Sequence, residues 1–306
     1  MTPSTPPPDR IVFFGTDAFS VPSLIRLIAE GWNIAAVVTK PDAPTGRGQQ
    51  ITQPAVKRLA IASDIPVFQP EKLADIEPDL SELGASIGVV VAYGKIISAA
   101  MLELFPKGFI NVHSSLLPRY RGAAPIEAAI LNGDAETGVT LMQLEAGLDT
   151  GPTYDQTRLQ LDGTENRETL YERLAELGAE LLCMRLPAIL DDQIVPIPQD
   201  ASEATTVGRI AKSAGVIDWS KPAEVIEREI RGYLGWPGSR TVISDTDAII
   251  TSAHIISGAG SPGLAFATED GDLAVYAGDG ALVIDTLKPA GKREMSGRDF
   301  LRGHSL

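Results

Sequence analysis

The sequence predicts an α/β domain built on a parallel sheet, followed by a small domain rich in antiparallel β-structure. Over residues 11–161, short apolar runs alternate with segments of helical spacing, which is typical of strands joined by crossover helices. Residues 191–207 carry scattered Pro, Asp and Ser without a period, and short β-prone segments with Pro-Gly and Asp-Gly turns follow them. At 306 residues, the chain has room for about two such domains.

The first domain begins with a predicted strand at 11–14, which ends at Gly15 and leads into a helix at 19–30 and a second strand at 33–39. The apolar run at 87–92 predicts a strand that is buried on both faces. The remaining elements continue the alternation, with helices at 55–62, 75–83, 98–104, from 125 and at 166–190, and strands near 67 and at 109–113, 139–144 and 154–161. We therefore expect a Rossmann-like parallel sheet with helices on both faces.

The second domain contains one predicted helix, at 223–234. Five β-prone segments follow it, at 241–243, 249–256, 264–267, 273–276 and 282–287. Because turns containing Gly, Pro and Asp separate these segments, we expect a small OB-like antiparallel barrel. The predicted domains are 1–190, in which residues 1–9 form a flexible leader, and 208–306, with a linker at 191–207.

Composition argues against several classes of function. The apolar runs are too short to span a membrane and the N-terminus lacks the apolar core of a signal peptide, so we expect a cytoplasmic protein without a membrane partner. Cys183 is the single cysteine and predicts a buried thiol, and the three histidines are too few and too dispersed for a catalytic metal site. The net charge of −14 taken alone argues against a nucleic-acid partner.

Neither of the common nucleotide-binding loops occurs in the sequence. The first strand ends in Gly-Thr-Asp-Ala-Phe, which lacks the second and third glycines of G-x-G-x-x-G, and there is no G-x-x-x-x-G-K-[ST]. The sequence therefore disfavours an NAD enzyme and a P-loop nucleotidase.

Asn111 and His113 are candidate catalytic residues at the end of a predicted strand. Side chains two apart on a strand share a face, and open α/β sheets bind ligands at the ends of their strands. An imidazole and an amide can stabilise a developing oxyanion there if a carboxylate orients the ring. Asp149, in the glycine-flanked loop after the strand at 139–144, is a candidate for that carboxylate. The alternatives are that Asn111 and His113 only cap a loop and that Asp149 is an ordinary turn residue.

These residues belong to longer motifs through which the chain resembles the methionyl-tRNA formyltransferase family. The combination of Asn-x-His, Ser-Leu-Leu-Pro and Asp resembles the wider group of enzymes that use 10-formyltetrahydrofolate, and Arg-Gly-Ala-Ala-Pro and Gly-Leu-Asp-Thr-Gly narrow it to the tRNA enzymes. The motifs extend over nearly the whole chain, at 12–16, 40–48, 68–70, 89–94, 111–125, 133–139, 147–151, 217–219, 236–238 and 289–292.

The resemblance implies transfer of the formyl group of 10-formyltetrahydrofolate to the α-amino group of methionyl initiator tRNA, for the initiation of translation and without a metal. It implies that Asn111, His113 and Asp149 are the catalytic residues. Folate and initiator tRNA are the implied partners, and we expect a monomer. The segment that contacts folate in the family matches Ser115, Leu116, Leu117 and Pro118.

The resemblance also implies two places of contact with tRNA. Arg47, in a Gly-Arg-Gly loop, matches the arginine that grips the acceptor stem, although Gln49 and Gln50 stand where lysines are common. The family's C-terminal barrel usually offers tRNA a basic surface, whereas residues 211–306 hold ten basic and thirteen acidic residues. We expect tRNA to contact the basic tail of this domain, with strongly salt-dependent binding. The tail contains Lys288, Lys292, Arg293, Arg298 and Arg302.

Two alternatives remain open from the sequence. A nucleotide-linked amino-sugar N-formyltransferase would use the same donor and would accommodate the acidic charge, but such enzymes tend to carry Arg-Ala-Pro and to lack the Gly-Arg-Gly loop. The second alternative is a non-catalytic relative that binds folate or RNA, and the complete set of Asn, His and Asp argues against it.

Overall fold

A computed structural model gives the fold of residues 9–45 and 49–306, and these are the described residues. Residues 1–8 of the predicted leader lie outside them. Asp9 is described, and its carboxylate accepts a hydrogen bond from the Ser86 hydroxyl at 2.6 Å.

The described chain contains seventeen strands and eight α-helices. The strands are β1 (Arg10–Gly15), β2 (Asn33–Val38), β3 (Ala43–Thr45), β4 (Gln50–Thr52), β5 (Val67–Phe68), β6 (Ile87–Val91), β7 (Phe109–His113), β8 (Arg121–Gly122), β9 (Glu136–Gln143), β10 (Thr153–Gln160), β11 (Thr206–Val207), β12 (Ser239–Ile243), β13 (Thr246–Ile256), β14 (Ala265–Ala267), β15 (Leu273–Tyr276), β16 (Ala281–Pro289) and β17 (Met295–Ser296). The helices are α1 (Val21–Ala29), α2 (Ala55–Ala62), α3 (Glu77–Glu82), α4 (Ala99–Leu102), α5 (Pro125–Asn132), α6 (Arg167–Leu190), α7 (Ala223–Gly232) and α8 (Gly297–Gly303).

The chain divides into two compact units. Unit 1 comprises the described residues up to Gly122 together with Thr137–Leu159 and Tyr171–Thr206. Unit 2 comprises Ala123–Glu136, Gln160–Leu170 and Val207–Leu306. The domain boundaries expected at 190 and 207 stay predictions. The compact units differ from these boundaries in two ways. Helix α5 belongs to unit 2, where Leu131 lies against Gly232 of α7, and most of the predicted linker belongs to unit 1.

Unit 1 is built on a seven-stranded sheet in the order β10-β9-β7-β6-β1-β2-β5. The five strands from β7 to β5 are parallel neighbours, in agreement with the predicted parallel α/β sheet. The apolar runs of β1 and β6 are buried along 11–15 and 87–91, as expected for strands covered on both faces. Strand β9 is antiparallel to β7, an orientation that the alternation of strands and helices did not predict because periodicity carries no information on strand direction.

Unit 2 carries a six-stranded antiparallel sheet in which β12, β13, β16, β15 and β14 follow one another and β17 pairs with β16. The prediction of an antiparallel C-terminal β-domain is confirmed, in the form of an open half-barrel with β12 and β14 at its edges. Its core joins Ile226 and Ile230 of α7 and Phe300 of α8 to the strand residues Ile250 and Leu282, all of which are buried.

Two elements of unit 2 differ from the predicted ones for identifiable reasons. Strand β13 begins three residues earlier than predicted because Ser244 and Asp245, at φ 47° and 58°, form a two-residue hairpin turn in the left-handed region without glycine. Helix α8 was not predicted. It begins at a capping serine, Ser296, whose hydroxyl accepts a hydrogen bond from the Asp299 N–H at 3.1 Å.

Candidate active site

Strand β7 carries Asn111 and His113 on one face. Asn111 pairs in register with Val90 of β6 and with Met142 of β9, and His113 pairs with Thr140 of β9. Because backbone hydrogen bonds hold β7 on both sides, the two side chains project from a rigid part of the sheet. The spacing of two residues therefore brings an amide and an imidazole to the same surface.

The ring of His113 is buried and fixed in one orientation. Its Nε2 lies 3.0 Å from the backbone oxygen of Tyr120. A carbonyl oxygen only accepts hydrogen bonds, so Nε2 must carry the proton that forms this contact. Nδ1 lies on the other side of the ring, 3.8 Å from Oδ2 of Asp149. The nitrogen available for chemistry is therefore Nδ1, and it faces a carboxylate.

The Asp149 carboxylate is held in place by the backbone of a neighbouring loop. Its Oδ2 accepts a hydrogen bond from the Gly122 N–H at 2.8 Å. Asp149 itself has a left-handed backbone, with φ at 52°, a conformation that aspartate adopts more readily than most residues other than glycine. Gly147, two residues earlier in the same loop, also has a positive φ, at 154°.

Gly151 is required by close packing of the loop. A Cβ atom on this residue would lie 1.9 Å from the backbone oxygen of Gln143, at the end of β9. Only glycine allows the loop to return so close to the strand, and the return carries Asp149 back toward the sheet.

The amide of Asn111 is half-buried, and no described residue forms a hydrogen bond with it. Its N–H groups therefore remain available to a ligand on the same face as His113. An amide donor beside an imidazole and a carboxylate can stabilise a carbonyl oxygen that is gaining negative charge.

The loop at 115–118 is organised by the hydroxyl of Thr140, which lies on the neighbouring β9. This hydroxyl donates to the Ser115 backbone oxygen at 2.7 Å and accepts from the Leu117 N–H at 3.0 Å. The Gln156 amide nitrogen donates to the same hydroxyl at 3.1 Å and to the Leu117 backbone oxygen at 2.6 Å. The Ser115 hydroxyl donates to the backbone oxygen of Arg119 at 2.6 Å. These contacts give the loop a defined shape beside β7.

A family model described as formyl transferase matches residues 9–186, and one described as the formyl transferase C-terminal domain matches residues 209–305. Methionyl-tRNA formyltransferases from Trichlorobacter lovleyi and Myxococcus xanthus are 42% and 43% identical over 299 residues, which cover 97% of this chain and 95% and 96% of theirs.

The chain belongs to the methionyl-tRNA formyltransferase family.

Solved structures at lower identity share the fold of the family. An N-formyltransferase from Helicobacter canadensis, in complex with folinic acid and dTDP-3-aminofucose, matches with a TM-score of 0.70 at 20% identity, over 90% of this chain and 99% of that one. HypX from Aquifex aeolicus, in complex with tetrahydrofolic acid, matches with a TM-score of 0.67 at 15% identity, over 95% of this chain and 46% of that one.

Several residues that shape the site were not identified from the sequence. Tyr120 supplies only a backbone oxygen to His113, and backbone atoms leave no trace in residue type. Thr140 and Gln156 lie on strands as ordinary polar residues. Gln199 lies in the predicted linker, where its amide bonds to the loop of Asp149, and nothing in its neighbourhood in the sequence indicated a role.

The residues predicted to contact tRNA are Arg47 and those of the basic tail of unit 2. Arg47 falls outside the described residues. The base of its loop is described, and there the Asp42 carboxylate accepts hydrogen bonds from Lys57 Nζ at 2.8 and 2.9 Å and from Gln69 Nε2 at 2.7 Å. These hydrogen bonds, from Gln69 first and Lys57 second, lower the pKa of Asp42 below its usual value.

The basic tail of unit 2 contains two kinds of residue. Arg298 lies 2.9 Å from the Asp272 carboxylate, and Arg302 lies 2.6 Å from that of Asp299. The other three are exposed and have no acidic partner within the described part of the chain: Lys288 on β16, and Lys292 and Arg293 in the turn between β16 and β17.

Two further observations concern membrane-spanning helices and metal sites. None of the helices in the described ranges is both long and apolar enough to cross a membrane. Among the residues whose positions are described, no cluster of three or more His, Cys, Asp or Glu side chains is arranged to hold a metal ion.

Proposed function

We propose that this protein transfers the formyl group of 10-formyltetrahydrofolate to the α-amino group of methionyl initiator tRNA in the cytoplasm, for the initiation of translation. The observation that carries the proposal is the similarity to methionyl-tRNA formyltransferases over 97% of the chain, which includes the C-terminal domain. The groups around His113 support the proposal because they are those that acyl transfer to an amine requires.

Each of the three side chains has a distinct task in this reaction. As the amine adds to the formyl carbon, negative charge develops on the formyl oxygen, and the Asn111 amide donates a hydrogen bond to it. His113, held at Nε2 by Tyr120, directs a proton on Nδ1 toward the same oxygen. Asp149 stabilises the positive ring and accepts the proton that the amine loses. The bond from the formyl carbon to the donor nitrogen then breaks as this nitrogen takes up the proton that Asp149 accepted, and the donor leaves as a neutral amine.

We infer that the folate donor lies along the loop at 115–118. Leu116 and Pro118 are half-buried and have surface to offer a planar ring, which such apolar side chains bind well. Ser115 and Leu117 are buried, so they shape the loop from the inside. The defined loop shape that Thr140 maintains would let the donor bind without first ordering its site.

We infer that tRNA contacts Arg47 and the exposed cations Lys288, Lys292 and Arg293. Arg298 and Arg302 contribute less attraction because adjacent carboxylates offset their charge. A surface with few uncompensated cations, on a chain with a net charge of −14, predicts modest affinity that weakens as salt rises.

The proposal is tested by incubating the protein with 10-formyltetrahydrofolate and either methionyl initiator tRNA or methionyl elongator tRNA. We expect formylation of the initiator to be much faster. Equal rates for both tRNAs would show that the protein is not specific for the initiator. Formylation of a nucleotide-linked amino sugar but of neither tRNA would establish the sugar alternative. The H113A variant should lose turnover by several powers of ten and still bind folate, whereas a non-catalytic relative would have no turnover to lose.

The docking surface is tested by the salt dependence of tRNA binding. Reversing one charge in K292E should lower the slope of log K against log salt by about 1 for each phosphate contact that is lost. R302A, which removes a cation already paired with Asp299, is the control and should change the slope less. A slope near zero for the unmodified protein would show that tRNA docks elsewhere.

A further inference from the structure

Gln199 lies in the predicted linker, and its side-chain amide is completely hydrogen-bonded within unit 1. Nε2 donates to the backbone oxygens of Asp149, at 2.9 Å, and of Gly151, at 2.7 Å. Oε1 accepts two hydrogen bonds from the guanidinium of Arg121, from Nε at 3.0 Å and from Nη2 at 2.8 Å. Both donor hydrogens and both acceptor positions of the amide are therefore in use.

These contacts surround the carboxylate that faces His113. Gln199 holds the backbone oxygen of Asp149, and the Gly122 N–H holds its Oδ2 at 2.8 Å. Gly122 directly follows Arg121 in the chain, and Arg121 donates to Gln199. Gln199 therefore holds the Asp149 backbone directly and is linked through Arg121 to the residue that holds the Asp149 carboxylate. A left-handed residue such as Asp149 persists only where its surroundings hold it, and Gln199 provides the hold on its backbone.

The segment on either side of Gln199 is fastened to the same region. Ile197 and Thr153 exchange two backbone hydrogen bonds, each at 2.8 Å. The Thr205 hydroxyl accepts a hydrogen bond from the Tyr120 N–H at 2.8 Å. Because the Tyr120 oxygen orients the ring of His113, the segment contacts the loops behind both members of the His-Asp pair.

We propose that Gln199 is a positioning residue for formyl transfer, which holds the backbone of Asp149 so that its carboxylate stays opposite Nδ1 of His113. The proposal rests on the function proposed above. Glutamate would keep the contact with Arg121 but has no N–H to donate, and its charge would face two carbonyl oxygens. Asparagine is one methylene shorter and cannot reach Arg121 and the two backbone oxygens at once.

The test compares Q199E and Q199M, which keep the length of the side chain, in the unmodified protein and in the D149N variant. Single-turnover and steady-state formylation are measured with 10-formyltetrahydrofolate and methionyl initiator tRNA, and folding is followed by thermal unfolding. Q193A is the matched control, because Gln193 is an exposed glutamine of the same segment. It should keep the unmodified rate.

We expect both Gln199 variants to lose about tenfold to a hundredfold in kcat, with KM for both substrates nearly unchanged, since a small displacement of a reacting group is that costly. In the D149N background the same changes should cost less than about threefold, because residues that act through one another are not additive. A merely structural role would not produce this dependence on Asp149.

Three results would overturn the proposal: a full kcat in folded Q199E and Q199M, an equal loss in the D149N background, or failure of both variants to fold, which would make the residue structural. If Q199E alone fails to fold, Q199M decides. An unmodified protein that formylates neither tRNA would refute the proposed function instead, so the two failures are distinguishable.

Discussion

Replacing Asp149 with asparagine removes the negative charge opposite His113 while keeping the size of the side chain. Nδ1 and Oδ2 are 3.8 Å apart, and the two side chains are 7% and 15% exposed, so water screens the pair little. Unit charges at this distance attract by about 4 kcal/mol when the effective dielectric constant is about 20. Because the ring is positive in the transition state of the proposed reaction, losing this attraction should slow kcat by about three powers of ten.

Single-turnover formylation of methionyl initiator tRNA measures this effect without interference from product release. The amide oxygen of the D149N side chain can still accept the hydrogen bond from Gly122, so we expect the fold and the KM for the donor to be retained. D191N, at an exposed carboxylate just beyond α6, is the control and should keep the unmodified rate. A folded D149N protein that retains a rate within tenfold of the unmodified one would refute the electrostatic role of the pair.

Three further predictions concern stability and reactivity. G151A should lower the free energy of unfolding by about 1–3 kcal/mol, measured by denaturant unfolding, because its Cβ would lie 1.9 Å from the Gln143 oxygen; unchanged stability would contradict the contact. Because the pKa of Asp42 is lowered in the folded protein, its ionised carboxylate stabilises the fold above the usual pKa of 3.8. This stabilisation is lost as the pH falls below that value. The difference in unfolding midpoint between the unmodified protein and D42N should therefore shrink below about pH 4, and a difference independent of pH would oppose this. Burial raises the pKa of Cys183 to about 12, so a thiol reagent at pH 8 should label this residue only after unfolding.

The fold was predictable to the extent that it depends on local patterns. Continuous apolar runs separated by helical segments identified β1 and β6 as buried parallel strands. The direction and pairing of the strands were harder to predict, because the antiparallel placement of β9 beside β7 depends on the path of the intervening chain. The hairpin turn at Ser244 and Asp245 was missed for a different reason, since these residues adopt a conformation that sequence rules assign mainly to glycine.

In the candidate site, too, one part follows from local sequence and another part depends on the tertiary structure. Asn111 and His113 share a face because two residues separate them on one strand, and this is a property of any strand. The approach of Asp149 to Nδ1, 36 positions later in the chain, depends on a loop that packs against the Gln143 oxygen.

The sequence by itself determined the order of the elements, the class of both domains and the residue types that the chemistry requires, because each follows from neighbours within a few positions. Only the tertiary structure decided which nitrogen of His113 faces the carboxylate and which groups hold that carboxylate in place. Tyr120 contributes through its backbone oxygen, and Gln199 contributes from a segment 50 residues away from Asp149. Hydrogen bonds form between atoms within about 3 Å of each other, and distances of that kind are set only when remote parts of the chain have packed together.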